Sequence, residues 1–336
     1  TRTFRDTMRD LIDLRSRHRP AIANLLMLFS IAERGAVKER MRTSRPLGRL
    51  VSGGTYVVAA GVAVLVVRTA GLSHPLAALA LGTLVATVVV FAASMVADNS
   101  SIYDPYWSLQ PVAVVGYYLW AGWGEVGPRQ AIVTVLMVLY ALRLTSNFYR
   151  DWPGLGKEDF RYVAFRHRFG RAYWPVSFLG IHLFPTLMVY LGCLPLYAVA
   201  SSGAALGLNW LDAAGVVVLL GAIVVAFVAD EQLRSFRSDP RNRGRSILTG
   251  LWARSRHPNY LGEVATWWGL WLFALAAGLA WWWTVVGAAA ITVLFVFVSV
   301  PMMEKRALAT HEGYREYREQ TPMLLPVFRR PPMVGD

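Results

Sequence analysis

Long apolar segments alternate with short polar segments along most of the chain. Most of these apolar segments contain about 17 residues or more, close to the length that an α-helix needs to cross a bilayer. The pattern predicts an all-α, polytopic membrane bundle of about seven or eight transmembrane helices. The eight segments are residues 51–70, 76–97, 106–122, 131–144, 173–200, 213–229, 260–277 and 279–302. The fifth contains Pro175, Pro185 and Pro195, which we expect to kink it.

Residues 1–50 form a different kind of segment. They carry twelve basic residues around one apolar stretch, 20–32, which is too short to cross a bilayer. We expect either an interfacial helix that binds anionic lipid or a partly disordered arm. No cleavable signal peptide is evident there. The chain is therefore divided into a basic arm (1–50), a membrane domain (51–328) and a short tail (329–336).

Composition and charge support this division. The chain is 55% hydrophobic with a mean hydropathy of +0.39, which indicates an integral membrane protein and excludes a soluble one. Of its 34 Lys and Arg residues, 32 lie in the arm and in the segments on one side of the membrane, which predicts that both termini are cytoplasmic. This bias explains the net charge of +13 without nucleic acid. A single cysteine, Cys193, excludes a disulfide framework and a cysteine-based metal site.

Residues 250–263 place a basic polar segment directly before an apolar helix. Pro258 suits the first helical turn, so Glu263 falls just inside a membrane-length segment. An ionisable residue at that depth is costly and usually functional, although it could simply pair with an arginine at the interface. Asn259 and Glu263 are separated by four residues and share a helix face beside Tyr260, so this face could bind an amide.

Two other polar clusters flank predicted spans in the N-terminal half. Asp104, Tyr106 and Gln110 lie at the start of the third span, where a helix cap and an aromatic belt would explain the first two but not the third. Glu158, Asp159, Arg161 and Tyr162 follow the fourth span and could form either a solvated charged surface or part of a site. Each cluster is expected on the cytoplasmic side.

Polar stripes also extend from the ends of two spans. Arg143, Asn147 and Arg150 follow one helix face, and Asp230, Arg234 and Arg237 follow another. The loop that follows contains Arg241, Arg243 and Arg245 and is long enough to fold over a phosphate-bearing ligand, although the cytoplasmic excess of basic residues would also produce it. No GxGxxG, P-loop, zinc-binding spacing or nucleophile elbow is present, so any nucleotide binds without a Rossmann fold and no metal site is predicted.

Several of these blocks resemble a known family. Residues 250–263, the later "GYREYREQTPMLLP" and the "ADEQLRSFR" of 229–237 are similar to the C-terminal domain of the steroid 5α-reductase superfamily, which includes the sterol C14-reductases. "DPYW" at 104–107, "LRL" at 142–144 and "EDFRY" at 158–162 resemble its uncharacterised bacterial branch. The resemblance implies a helix bundle in a bacterial plasma membrane that binds NADPH from the cytoplasm, with the cofactor half at about 210–328. The basic arm has no counterpart in the family pattern.

The resemblance also implies roles for individual residues. Asn259 and Glu263 would contact the nicotinamide carboxamide, and Asp230 and Gln232 the ribose or pyrophosphate. The remaining expected cofactor residues are Arg237, Arg256, His257 and Tyr260 on the phosphate and adenine side, Glu304 and Arg306 of the last cytosolic helix, and Arg161 of the bacterial motif.

The expected activity is NADPH-dependent reduction of a carbon-carbon double bond in a steroid-like or isoprenoid lipid taken from the bilayer. The proton donor would be Tyr106 or Tyr162, held by Asp104 or Glu158. One alternative is an S-adenosylmethionine-dependent membrane methyltransferase of the isoprenylcysteine type, which shares "RHPxY" and a late Glu/Arg helix. Another is a non-catalytic lipid-binding protein, whose polar clusters would serve only as belts and caps.

Overall fold

The computed structural model describes residues 44–120, 126–203 and 206–326 of the chain. Within these ranges the regular structure is helical, and an isolated β-bridge joins Arg245 to Glu312. The all-α fold predicted from the apolar pattern is confirmed. The predicted interfacial stretch at 20–32 and the tail at 329–336 lie outside the described residues.

Thirteen α-helices are described. In chain order they are α1 (Arg45–Thr69), α2 (Pro75–Ala97), α3 (Tyr106–Trp120), α4 (Pro128–Asp151), α5 (Phe160–Phe169), α6 (Tyr173–Ser177), α7 (Phe184–Gly192), α8 (Leu194–Ser201), α9 (Trp210–Ser238), α10 (Pro258–Ala277), α11 (Val285–Leu294), α12 (Val300–Thr310) and α13 (Tyr314–Gln320). Short 3-10 helices cover Ser100–Tyr103, Gly170–Ala172, Pro240–Asn242, Gly250–Ala253 and Leu279–Thr284, and π-helical turns cover Phe178–Leu183 and Phe295–Ser299.

Hydrogen bonds between distant residues bring together, at one end of the bundle, the starts of α1, α3, α5 and α10 and the ends of α2, α4 and α9. Successive spans therefore alternate in direction. We call this end of the bundle the polar end. It carries all of the charged clusters that the sequence places next to the third, fourth, sixth and seventh predicted spans.

Six of the described helical stretches are long and apolar enough to cross a membrane: Arg45–Thr69, Pro75–Ala97, Pro128–Asp151, Phe160–Ser201, Trp210–Ser238 and Leu279–Thr310. The predicted third and seventh spans are the 15-residue α3 and the 20-residue α10, which do not belong to that set. The helix α10 packs against α4, α8, α9 and α11. It faces protein more than lipid, so its sequence can be less uniformly apolar than a lipid-facing span.

Local sequence explains several helix boundaries. The helix α1 begins within the predicted arm because the Ser44 side chain accepts a hydrogen bond from the Leu47 amide and a proline occupies the first turn. Pro185 and Pro195 begin α7 and α8, and Pro175 lies in α6 just before a π-helical turn, so the long fifth span is interrupted near each proline. The helix α4 extends beyond its predicted range of 131–144 at both ends.

The most extensive helix contact joins α9 and α10, and glycines make it close. A Cβ added to Gly262 would lie 2.6 Å from the Ala222 carbonyl oxygen, and one added to Gly269 would lie 2.8 Å from the Leu219 amide nitrogen. Small residues allow membrane helices to approach in this way. The resulting contact fixes the depth and rotation of α10, whose first turns carry the predicted site residues.

Gly262→Ala is therefore expected to destabilise the protein. The added methyl group forces α9 and α10 apart, at a cost of about 1–3 kcal/mol, partly offset by the better helix propensity of alanine. Gly221→Ala in α9 is the matched control because an added Cβ meets no atom within 4 Å. Thermal unfolding midpoints in detergent should fall for Gly262→Ala and be unchanged or higher for Gly221→Ala. Equal midpoints for the two variants would contradict this account of the contact.

Candidate functional site

The polar end contains a cavity of about 530 Å³ that we call the basic pocket. Its walls come from the end of α9, the loop 239–256, the first turn of α10, and helices α12 and α13. The loop is held in place by Gln232, which accepts a hydrogen bond from the Leu251 amide at 3.0 Å, and by Trp252, which donates to the Ala229 carbonyl. Gln232 thus shapes the wall of the pocket without being one of its lining residues.

Positive charge dominates the basic pocket. Its lining includes five arginines, Arg237, Arg243, Arg245, Arg256 and Arg306, and one acidic residue, Asp239. Asp239 is already paired with Arg241, an arginine outside the lining. Among the described residues, no carboxylate forms an ion pair with Arg237, Arg243, Arg245 or Arg306. Four guanidinium groups around one cavity, none of them in an ion pair with a described carboxylate, are suited to a ligand with several negative charges, such as phosphates.

Arg256 has a structural role at the rim of this pocket. Its Nε lies 2.7 Å from the Glu304 carboxylate, and one of its terminal nitrogens, Nη1, donates to the carbonyls of both Arg318 and Thr321. His257 also contacts Glu304, at 3.2 Å. Burial lowers the pKa of the His257 imidazole, and Glu304 partly opposes that shift. Glu304 therefore ties the start of α10 to α12 and lies outside the lining of the basic pocket.

The first turn of α10 contributes polar and aromatic groups to the basic pocket. Asn259 and Tyr260 both line it, and the Tyr260 ring stacks on the His257 ring with centroids 5.4 Å apart. The Asn259 amide donates to Asp230 at 3.2 Å, which orients its side chain. Asp230 itself does not line the pocket.

Glu263 lies deeper, in a buried charge cluster between α4, α9 and α10. It is 5% exposed and pairs with Arg143, while the Tyr140 hydroxyl donates to its other oxygen at 3.1 Å. Arg143 also contacts Asp230 at 3.1 Å. Glu263 therefore does not reach the basic pocket. It is connected to Asn259 only indirectly, because Asn259 bonds Asp230 and Asp230 contacts the same Arg143 that pairs with Glu263. The sequence places Arg143 in a row of polar residues along α4 but does not identify it as the partner of Glu263. It gives no indication that Tyr140 bonds Glu263.

A second titratable cluster surrounds Asp104, between α2 and α3. The Tyr162 hydroxyl donates to the Asp104 carboxylate, and Arg161 lies 3.9 Å from it while bonding Asp159 at 2.7 Å. Burial raises the pKa of Asp104 from 3.8 to about 7, with Arg161 and the Tyr162 hydrogen bond opposing the shift and Asp159 adding to it. This carboxyl group can therefore both hold and release a proton near neutral pH.

Two other predicted catalytic residues lie apart from Asp104. Glu158 accepts hydrogen bonds from the Ser100 amide at 2.7 Å and from Arg166 at 2.6 Å, so it fixes the loop after α2. The Tyr106 hydroxyl is 3.3 Å from Thr87. Tyr106 lines a different cavity of about 480 Å³ between α1, α2 and α3, which we call the apolar pocket.

The basic pocket and the Asp104 cluster are neighbours. The Arg306 guanidinium lies over the Phe160 ring at 3.6 Å, next to Asp159 and Arg161 in the chain. Tyr260 is also within electrostatic range of Arg161 and Asp159. These contacts link residues more than 95 positions apart in the sequence, as in the Arg161–Tyr260 pair, so spacing could not have revealed them.

The family model described as "Protein of unknown function (DUF1295)" matches residues 90–321. The chain belongs to the DUF1295 family. The matched range runs from within α2 to just beyond α13 and contains the Asp104 cluster, the buried charge cluster and the basic pocket. The helix α1 precedes the range.

One relative of this DUF1295 protein comes from the fission yeast Schizosaccharomyces pombe. The protein, named "Uncharacterized protein C594.04c", is 27% identical over 261 residues, which cover 71% of this chain and 76% of the relative. No solved structure matches the chain.

In this DUF1295 protein, Asp104→Asn is expected to change the pH dependence of stability. The folded-state pKa of Asp104 lies above 3.8, so its contribution is most favourable below that value and is lost as the pH rises through about 7. The asparagine does not titrate. The variant's thermal midpoint should therefore rise relative to wild type between about pH 5 and about pH 8. Parallel pH profiles for the two proteins would show that Asp104 is not shifted.

Proposed function

We propose that this protein is a membrane reductase that uses NADPH to reduce a carbon-carbon double bond in a steroid-like or isoprenoid lipid. The observation that carries the proposal is the basic pocket, in which four arginines form no ion pair with a carboxylate of the described residues, beside a carboxyl group whose pKa is raised to about 7. The resemblance to the steroid 5α-reductase superfamily in the same residues supports it. With the orientation predicted from the charge bias, the basic pocket would open to the cytoplasm.

The lining of the basic pocket fits a dinucleotide phosphate. Arg237, Arg243 and Arg245 come from one side of the cavity and Arg306 from the other, so they can surround phosphate oxygens with charge-assisted hydrogen bonds. Tyr260 and Tyr314 offer aromatic faces for a planar ring. A volume of about 530 Å³ lies within the range of small-molecule and cofactor sites.

The same charge argues against S-adenosylmethionine as the ligand. That molecule carries a sulfonium and an ammonium group against a single carboxylate, so its net charge is positive. Four unpaired guanidinium groups would repel it, whereas they attract a polyphosphate. The methyltransferase alternative therefore finds no support in the electrostatics of the basic pocket.

The Asp104 cluster provides the proton that such a reduction requires. When bound, the cofactor supplies a hydride to one alkene carbon, and the other carbon then needs a proton. The Tyr162 hydroxyl is hydrogen-bonded to Asp104. When Asp104 is protonated, its carboxyl group can donate to the Tyr162 oxygen, so the Tyr162 proton is free to pass to the alkene carbon while the carboxyl proton replaces it and leaves a carboxylate. Arg161 stabilises the negative charge that remains on the pair. Tyr106, two residues after Asp104, lies on the wall of the apolar pocket.

The apolar pocket is the proposed lipid site because it begins beside this cluster. Tyr56 and Tyr106 line it, and Tyr56 is within electrostatic range of Asp104. A lipid entering from the bilayer would reach the proton source from this pocket, while the nucleotide would lie in the basic pocket on the side of Arg161 and Tyr260. The Asp104 cluster, which lies between the two pockets, would thus separate the hydrophobic substrate from the charged cofactor.

Purified protein in detergent should bind NADPH saturably and S-adenosylmethionine weakly or not at all. Arg243→Ala removes one phosphate-binding cation and should raise the dissociation constant for NADPH about tenfold. Arg315→Ala is the matched control because Arg315 is an exposed arginine of α13 that does not line the pocket. It should leave the constant within about twofold.

Saturable binding of the methyl donor without NADPH binding would instead establish the methyltransferase alternative. Binding of neither would leave a lipid-binding protein without catalysis. Equal losses of NADPH affinity for Arg243→Ala and Arg315→Ala would mean that the effect of the arginines is general rather than local to the basic pocket.

Tyr162→Phe tests the proton source separately from cofactor binding. The ring is retained but the hydroxyl is lost, so NADPH affinity should be unchanged while lipid-dependent NADPH oxidation falls by about 100-fold or more. The measurement is the decrease in NADPH absorbance after addition of a lipid extract from the native membrane. Unchanged oxidation would remove Tyr162 from the proposed chemistry.

A further inference from the structure

The apolar pocket has a composition that sets it apart from the polar end of the bundle. It lies between α1, α2 and α3, and none of the described residues that line it is charged. The α3 residues that line it run from Tyr106 to Trp120 along one helix, a rise of about 21 Å. Its volume is about 480 Å³. The pocket is thus a long slot, and a phospholipid head group would find no counter-charge in it.

Most polar groups of this slot lie in one half. Tyr56, Thr83, Tyr106 and Gln110 line the half nearer the polar end, whereas Val64, Val67 and Leu79 line the other half together with the amphipathic rings of Tyr117 and Trp120. Tyr106 and Gln110 are four residues apart and therefore share the same face of α3. An occupant would accordingly be amphiphilic, with its polar group towards the polar end.

Gln110 is the unsatisfied member of this group. The residue is 4% exposed, and neither its amide oxygen nor its amide nitrogen has a hydrogen-bond partner among the described residues. The Tyr106 and Tyr56 hydroxyls, in contrast, contact Thr87 and the Ile102 carbonyl. Leaving a buried primary amide unpaired is costly, and such groups require an explanation such as an absent ligand. Gln110 also lines the slot, so a ligand there can reach it after a side-chain rotation.

We propose that the apolar pocket binds an elongated lipophilic alcohol from the bilayer and that Gln110 holds its hydroxyl group. A hydroxyl both donates and accepts, which matches an amide whose acceptor oxygen and donor nitrogen are both unsatisfied. A ketone or aldehyde could satisfy only the nitrogen. As a statement about the substrate of the reductase, this inference rests on the proposed function. The binding itself requires no turnover.

The test uses the full chain in detergent and three probes with one saturated skeleton, namely phytanol, phytanal and phytane. Because these probes contain no carbon-carbon double bond, a reductase cannot consume them. Phytanol should raise the thermal midpoint most and phytane least, since a ligand stabilises the fold according to its affinity. Gln110→Leu should weaken phytanol binding about tenfold and remove the preference for the alcohol.

Two further variants separate hydrogen bonding from shape. Gly116 lines the slot and an added Cβ meets no atom within 4 Å, so Gly116→Leu should fill the slot and abolish binding of all three probes without disturbing the fold. Gln110→Leu should also raise the thermal midpoint of the ligand-free protein, because it removes the unpaired amide. Gln110→Met provides an unbranched second variant if the leucine does not fold.

Equal stabilisation by phytanol and phytane, or an alcohol preference that survives Gln110→Leu and Gln110→Met, would overturn the proposal. If the probes still bind to Gly116→Leu, the binding site lies elsewhere and the proposal is overturned. NADPH binding is measured on the same samples. If NADPH does not bind but phytanol binding depends on Gln110, the reductase function is rejected and the alcohol site is kept. If NADPH binds but the protein shows no preference for the alcohol, the alcohol site is rejected and the reductase function is kept.

Discussion

The buried charge cluster between α4, α9 and α10 is the interaction on which the polar end depends. Arg143 lies between Glu263 and Asp230, and none of these three groups could be buried at that depth without the others. Removing one partner of such a pair typically costs about 3–5 kcal/mol, because a charge is left without compensation. The cluster therefore fixes the register of three helices. Through the bond from Asn259 to Asp230 it also sets the position of the first turn of α10.

The two pockets lie on either side of a small set of titratable groups. The basic pocket forms where the loop 239–256 folds back over the start of α10, and Arg256 and Glu304 hold that loop to α12. The apolar pocket forms between the first three helices. Asp104 and Tyr162 lie between these regions, where partial burial shifts the carboxyl group towards neutral pH. In the proposed function, a charged cofactor and a lipid would approach this titratable pair from opposite sides.

Unpaired groups mark the places where ligands are expected. Most charged side chains at the polar end have partners, as in Glu158 with Arg166 and Asp239 with Arg241. Several of the groups without a partner line the two pockets, as cations in one and as the amide of Gln110 in the other. Buried or converging polar groups are costly when unsatisfied, and the two proposed ligands would satisfy these groups.

The sequence by itself determined the all-α membrane architecture, the approximate spans and the position of the polar segments, because hydropathy and helix-breaking residues act locally. It also identified candidate site residues, including Glu263, Asp104 and the arginines of 237–256. Only the tertiary structure decided how they are grouped. It placed Glu263 against Arg143, 120 residues away, and left Arg237 and Arg306 around a cavity. Such pairings depend on helix register and rotation, which are set by packing between distant segments rather than by local sequence.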